Sequence, residues 1–175
     1  MIVKTISKIS LLSALLALNI GCWPYKTTNE YSQDFRIGYS VSKPIYLSIR
    51  NTRKNTLYLL LERNMNLDKL YIKVRWMSKN KSHQFKKEGS LLRFLLNKEH
   101  IINLTPLRPA RISSYHIDPP AIEEECIYEI SRNDLARISQ ADTVTMELEG
   151  ITENKIATFN SQHTFKAFKD FLTNS

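Results

Sequence analysis

The chain has 175 residues, 25 basic and 17 acidic side chains, a formal charge of +8, two cysteines and four glycines. No Walker or Rossmann phosphate loop can be assembled from the glycines present. The length suffices for one domain with a proper core.

The first twenty-two residues have the order of a secretory signal. Lys4 and Lys8 give a positive start, and the apolar run Ile9–Leu18 follows. A run of about ten to twelve residues is well short of the roughly twenty that span a bilayer, so a transmembrane anchor is not expected. The run leads into Asn19-Ile20-Gly21-Cys22. This ending resembles the bacterial lipoprotein signal in the relaxed form of spirochaetal surface lipoproteins. Gly21 and Cys22 fit its lipobox and Ile20 is tolerated, while Asn19 stands where the family prefers leucine and Leu18 is displaced by one. The resemblance implies cleavage of residues 1–21, acylation of Cys22 on sulfur and often on its new amino group, and residence in the cell envelope, with the outer membrane favoured. Two or three acyl chains hold a protein stably, since each buried methylene adds about 0.8 kcal/mol and one chain alone is marginal. The competing expectations are a plain signal cut nearby and a short buried helix with an incidental cysteine.

From Cys22 onward the formal charge is +6, because Lys4 and Lys8 leave with the leader. With Cys22 acylated, Cys126 has no disulfide partner; it lies in an apolar run and is expected to be a small buried core residue. Residues 22–38 are polar and without period, which predicts a tether, with Trp23 and Tyr25 as candidate interfacial aromatics. One globular domain is expected over 39–175.

Period two begins near Tyr39. Ile45, Leu47 and Ile49 alternate with Tyr46, Ser48 and Arg50, and 51–55 reads as a turn into Leu57–Leu61, a hairpin. Leu70, Ile72, Val74 and Trp76 form the core face of the next strand, leaving Tyr71, Lys73, Arg75 and Met77 on a wet face. Residues 79–87 form a polar, basic loop closed by Gly89. Leu91–Leu96 suits a strand or a short helix equally. Strands are predicted at His100–Leu104, Ile112–Ile117 and Glu125–Ile130, separated by Pro106, Pro109 and Asp118-Pro119-Pro120.

The last third is mixed. Ser131-Arg132-Asn133-Asp134 is a capping box, predicting a helix with Leu135, Ile138 and Ala141 on one face. Val144, Met146 and Leu148 point inward on a strand that turns through 150–154 into Ile156–Phe159. Asn160 or Ser161 can cap a final helix whose Phe165, Phe168 and Leu172, with Phe171 beside them, are expected to dock on the core rather than to form a partner-binding face. The fold class is therefore α+β: a mainly antiparallel sheet or sandwich of about six to eight strands with two short helices in the C-terminal third.

No catalytic constellation is expected. His83, His100, His116 and His163 lie far apart, no zinc-ligand spacing and no nucleophile elbow occurs, and neither metal nor cofactor is implied. Ser113, His116 and Asp118 contain the residue types of a triad without a nucleophile signature. Glu123-Glu124-Glu125 reads as a solvated charge cluster ahead of a strand. The functional hint outside the leader is basic: Lys79, Lys81, Lys86 and Lys87 in one loop, with Arg50, Arg53 and Lys54 as a second cluster. Such clusters can contact sulfated glycans or phosphate-rich surfaces, or can serve only as solvated loops. Export disfavours nucleic acid. The expected function is a lipid-anchored, non-catalytic envelope binding module with the membrane as partner through Cys22 and a polyanion as candidate ligand. The alternative is a structural or assembly component binding another envelope protein.

Overall fold

The computed structural model describes residues 28–32, 37–49, 55–79, 84–115, 121–159 and 162–174. They form two antiparallel sheets and two helices, the α+β architecture expected. Among the described residues eleven strands occur where six to eight were expected, because short pieces at the first sheet's edge add to the count.

The larger sheet contains β1 (Thr28–Ser32), β2 (Ile37–Val41), β3 (Ile45–Leu47), β4 (Asn55–Asn64), β5 (Lys69–Ser78), β8 (Arg111–Tyr115) and β9 (Ala121–Ile130). Its order is β1-β2-β4-β5-β9-β8, with β3 continuing the β2 edge along β4. The interruption between β2 and β3 is held at Ser42, whose N–H donates to the Leu61 carbonyl and whose Oγ accepts from the Leu61 N–H, both at 2.8 Å. Pro44, which has no N–H to give a ladder, stands at an edge where none is needed. The smaller sheet has order β11-β10-β6-β7, from β6 (Leu92–Leu96), β7 (His100–Leu104), β10 (Val144–Leu148) and β11 (Lys155–Thr158). The run Leu91–Leu96, which suits a strand or a helix equally by sequence, holds the strand β6 from Leu92. Its turn to β7 is made by Asn97 and Lys98, both at positive φ, and Asn97 is one of the few residue types that adopt that conformation at low cost.

β1 lies within the polar 22–38 segment and pairs with β2 from Thr28↔Val41 to Ser32↔Ile37. Main-chain ladder bonds make this hairpin, and β1, Thr28-Asn29-Glu30-Tyr31-Ser32, carries no hydrophobic period to read.

The inner faces share one core. Leu57, Leu59, Leu61, Ile72, Val74 and Trp76 from one sheet face Leu92, Phe94, Val144, Met146 and Leu148 from the other. The helices α1 (Arg132–Gln140) and α2 (Gln162–Asn174) close one end of the sandwich with Leu135, Ile138, Phe168 and Phe171. Full burial of each of these large apolar side chains stabilises by about 1.5–3 kcal/mol. The Ser131 cap is made as expected: its Oγ accepts from the Asp134 N–H at 3.0 Å and donates to the Asp134 carboxylate at 2.8 Å. Phe168 and Phe171 are fully buried, while Phe165 and Leu172 are partly covered.

The far end carries the long loops. Asn55, Ser78 and Ile122 are in register there.

Candidate functional site

Lys79 directly follows Ser78, and Ser78 pairs with Asn55, which directly follows Lys54. Lys79 and Lys87 are exposed, whereas Lys86 is half-buried and ion-paired with Glu149. That pair holds the Glu149 carboxyl below its usual range, mainly through the hydrogen bond from Lys86. Lys81, Arg50, Arg53 and Lys54 lie outside the described residues, as does Cys22. The loop's return is pinned by Glu124, whose carboxylate accepts from the N–H of Gln84 at 2.7 Å and of Phe85 at 3.3 Å. Gly89 ends it at φ +109°, where an added Cβ would lie 2.5 Å from a Pro106 side-chain carbon.

The glutamate run is not a solvated cluster. Its members stand inside β9, with Glu124 fully buried on the core side and Glu123 and Glu125 on the opposite face. Burial is tolerable because each carboxylate has partners. Glu125 meets Arg75 Nε at 2.7 Å, Arg108 Nη2 at 3.2 Å and Lys73 Nζ at 3.9 Å. Glu123 accepts from the Tyr58 hydroxyl at 3.0 Å and faces Arg75 Nη1 at 3.7 Å, and Lys73 also pairs with Glu62 at 2.6 Å. The face of β5 expected to be wet is thus a charge network across β4, β5 and β9. Burial works against the Arg75 charge, but the Tyr58 hydroxyl and Glu125 outweigh it and keep the guanidinium firmly protonated. Burial likewise raises the Tyr58 hydroxyl above its usual range. The sequence signal for this arrangement is alternation: Lys73 and Arg75 fall two apart on β5, as Glu123 and Glu125 do on β9, and an antiparallel pairing sets them opposite.

At the edge of the network is a recess of about 160 Å³ between β5, β9 and β8, lined by Arg75, Arg111, Ser113, Glu123 and Glu125. Arg111 is exposed and Ser113 half-buried, and neither side chain has a hydrogen-bonding or ionic partner among the described residues. A recess of this size, lined by two arginines, a serine and two glutamates, can seat a single small polar group.

The remaining candidates disperse. His100 and His163 stand on β7 and α2, while His83, His116 and Asp118 lie outside the described residues. Among the described residues no group of three His, Cys, Asp or Glu is placed to hold a metal ion. Cys126 is buried, and burial raises its thiol above the usual range. Near it Tyr128, fully buried, donates its hydroxyl to the Ser90 carbonyl at 2.7 Å. The aromatic stripe of α2 turns inward, with Phe165 edge-on to Phe159 at 6.0 Å between ring centroids. No described helix is long and apolar enough to cross a membrane. No family model, curated protein or solved structure matches the chain.

Proposed function

We propose that this chain is a lipid-anchored module of the bacterial cell envelope, held at Cys22 and binding a polyanionic ligand without catalysis. The observation that carries the anchor is Gly21-Cys22 placed directly after a basic start and a short apolar run. A domain delivered in this way needs little tether. Five residues separate Cys22 from β1, a chain that spans at most about 3.3–3.6 Å per residue. The ligand class rests on the formal +6 of the mature chain and on the exposed Lys79 and Lys87 of the loop that follows β5. Protease shaving of intact cells with mass analysis of the mature N-terminus tests the anchor. An acylated Cys22 supports it, and an unmodified N-terminus at another residue removes it. Salt-sensitive retention on a polyanion column tests the ligand class, which an unretained protein would eliminate.

The second function, an assembly component binding an envelope protein, draws support from Met65 and Leu67, 57% and 60% exposed on the β4–β5 turn. Crosslinking from that turn in intact envelopes would favour it if one protein is captured and Met65→Ser with Leu67→Ser abolishes capture.

A further inference from the structure

We infer that the β3 edge of the larger sheet is where the domain rests on the bilayer, with the Tyr46 ring in the headgroup region of the membrane that holds Cys22. The inference rests on the anchor reading above and adds an orientation to it.

The length of chain between anchor and sheet limits the choice. Six Cα steps join Cys22 to Thr28, so the acylated residue stands within about 20–22 Å of the start of β1. β1 begins opposite Val41, the residue of β2 nearest β3. On β4, which pairs with both β2 and β3, Val41 is level with Glu62 and Tyr46 with Tyr58, four residues or about 13 Å apart. Tyr46 is therefore within reach of the anchor. The opposite edge is not, since β8 stands five strand spacings from β1, about 24 Å. A bilayer laid against β8 would need more chain than the tether has.

The β3 edge also suits headgroup depth. Tyr46 is 67% exposed, the most exposed large apolar side chain among the described residues, and its ring centroid stands 5.6 Å from that of Tyr58. Tyrosine favours a membrane interface because its ring is apolar while its hydroxyl stays wet. Pro44 and Ser48 on either side are exposed as well. Among the described residues β3 pairs only with β4, and the next contact along the chain is the bridge from Ile49 to Ala157. Unpaired N–H and C=O groups on such an edge do not enter hydrocarbon, so the contact stays among headgroups and water, where they are satisfied. The acyl chains supply residence and this contact supplies orientation. In that pose β8, with Arg111 and the recess, faces away from the membrane.

The test uses the exported, acylated full chain reconstituted in vesicles of phosphatidylcholine and phosphatidylglycerol. A fluorophore is attached through Ser48→Cys beside Tyr46, through Ser114→Cys on β8, or through Met65→Cys on the β4–β5 turn. With Cys22 acylated and Cys126 buried, each chain labels once. Nitroxide-bearing lipids should quench the label at position 48 several-fold more than the label at 114, and Tyr46→Ser in the same chain should lower the quenching at 48. Equal quenching at 48 and 114 in acylated protein overturns the orientation while the anchor stands. Stronger quenching at 65 than at 48 overturns it in favour of the turn. Quenching at 48 that Tyr46→Ser leaves unmoved removes the ring as the contact. A label at 48 that is shielded in native envelopes but open in pure lipid vesicles puts a protein there in place of the bilayer. An unacylated Cys22 overturns the anchor and the orientation together.

Discussion

Glu124→Ala removes the acceptor that pins the return of the basic loop, and the cost can be worked from two contacts. Glu124 is fully buried, and its carboxylate takes the amide protons of Gln84 at 2.7 Å and Phe85 at 3.3 Å. A hydrogen bond to a charged group contributes about 1.5–3 kcal/mol, and the truncation strands both donors, one of them in a residue that is itself buried. Relief of the buried charge offsets part of this, leaving a loss of about 3–5 kcal/mol. That is a large share of a total that is usually about 5–15 kcal/mol, and in a chain of this length it lowers the melting temperature by roughly 6–20 °C. Urea unfolding gives the global number. Amide exchange gives the local one: the Gln84 and Phe85 amides should exchange far faster in the variant under native conditions. Glu124→Gln, which keeps a carbonyl oxygen, should lose less. A loss below about 1 kcal/mol, or unchanged exchange at both amides, would refute the assignment of Glu124 as the pin.

Phe168→Ala, at a fully buried ring 5.6 Å centroid to centroid from Phe159, should cost about 3–5 kcal/mol by urea titration, with Lys169→Ser as a near-neutral exposed control. The Lys86–Glu149 pair gives a pH signature. The folded Glu149 carboxyl lies below its ordinary 4.5, so its contribution is complete above about that pH and is lost as pH falls through the lowered value. Lys86→Ser should therefore melt earlier than wild type at about pH 7 and converge with it in acid, once pH has fallen through the lowered value, and a gap that persists there would contradict the pairing. The buried Cys126 thiol, raised by desolvation, should resist a thiol reagent in the folded protein and react once on unfolding. Exported protein that shows a second reactive thiol would have an unacylated Cys22.

What could be read in advance follows from which features leave a local pattern. Alternation at Leu70, Ile72, Val74 and Trp76 named the core face of β5 correctly, as did Val144, Met146 and Leu148 on β10. The Ser131 cap placed α1, and helical spacing placed Phe168 inside. The opposite face of β5 was misjudged for a physical reason: Lys73 and Arg75 look solvated until β9 sets Glu123 and Glu125 against them, and that pairing joins residues fifty apart. The same distance hid the recess, since Arg111 and Ser113 acquire meaning only when β8 lies down beside β9. β1 escaped because its residues, Thr28-Asn29-Glu30-Tyr31-Ser32, leave no period in side-chain character while main-chain bonds pair it with β2.

The placement of β9 also sets the tempo of folding. The β4–β5, β6–β7 and β10–β11 pairs are hairpins that close over short loops, but the larger sheet is complete only when β9 reaches across those fifty residues to β5. Loop closure of that span is paid before its contacts repay it, so the collapse of the sheet is the slow step, on the millisecond-to-second scale of β-rich domains rather than the microseconds of helical ones. Until then the free edge of β5 carries an unpaired ladder beside Ile72, Val74 and Trp76, and Lys73 and Arg75 stand along it as charges that discourage a second chain from docking there first.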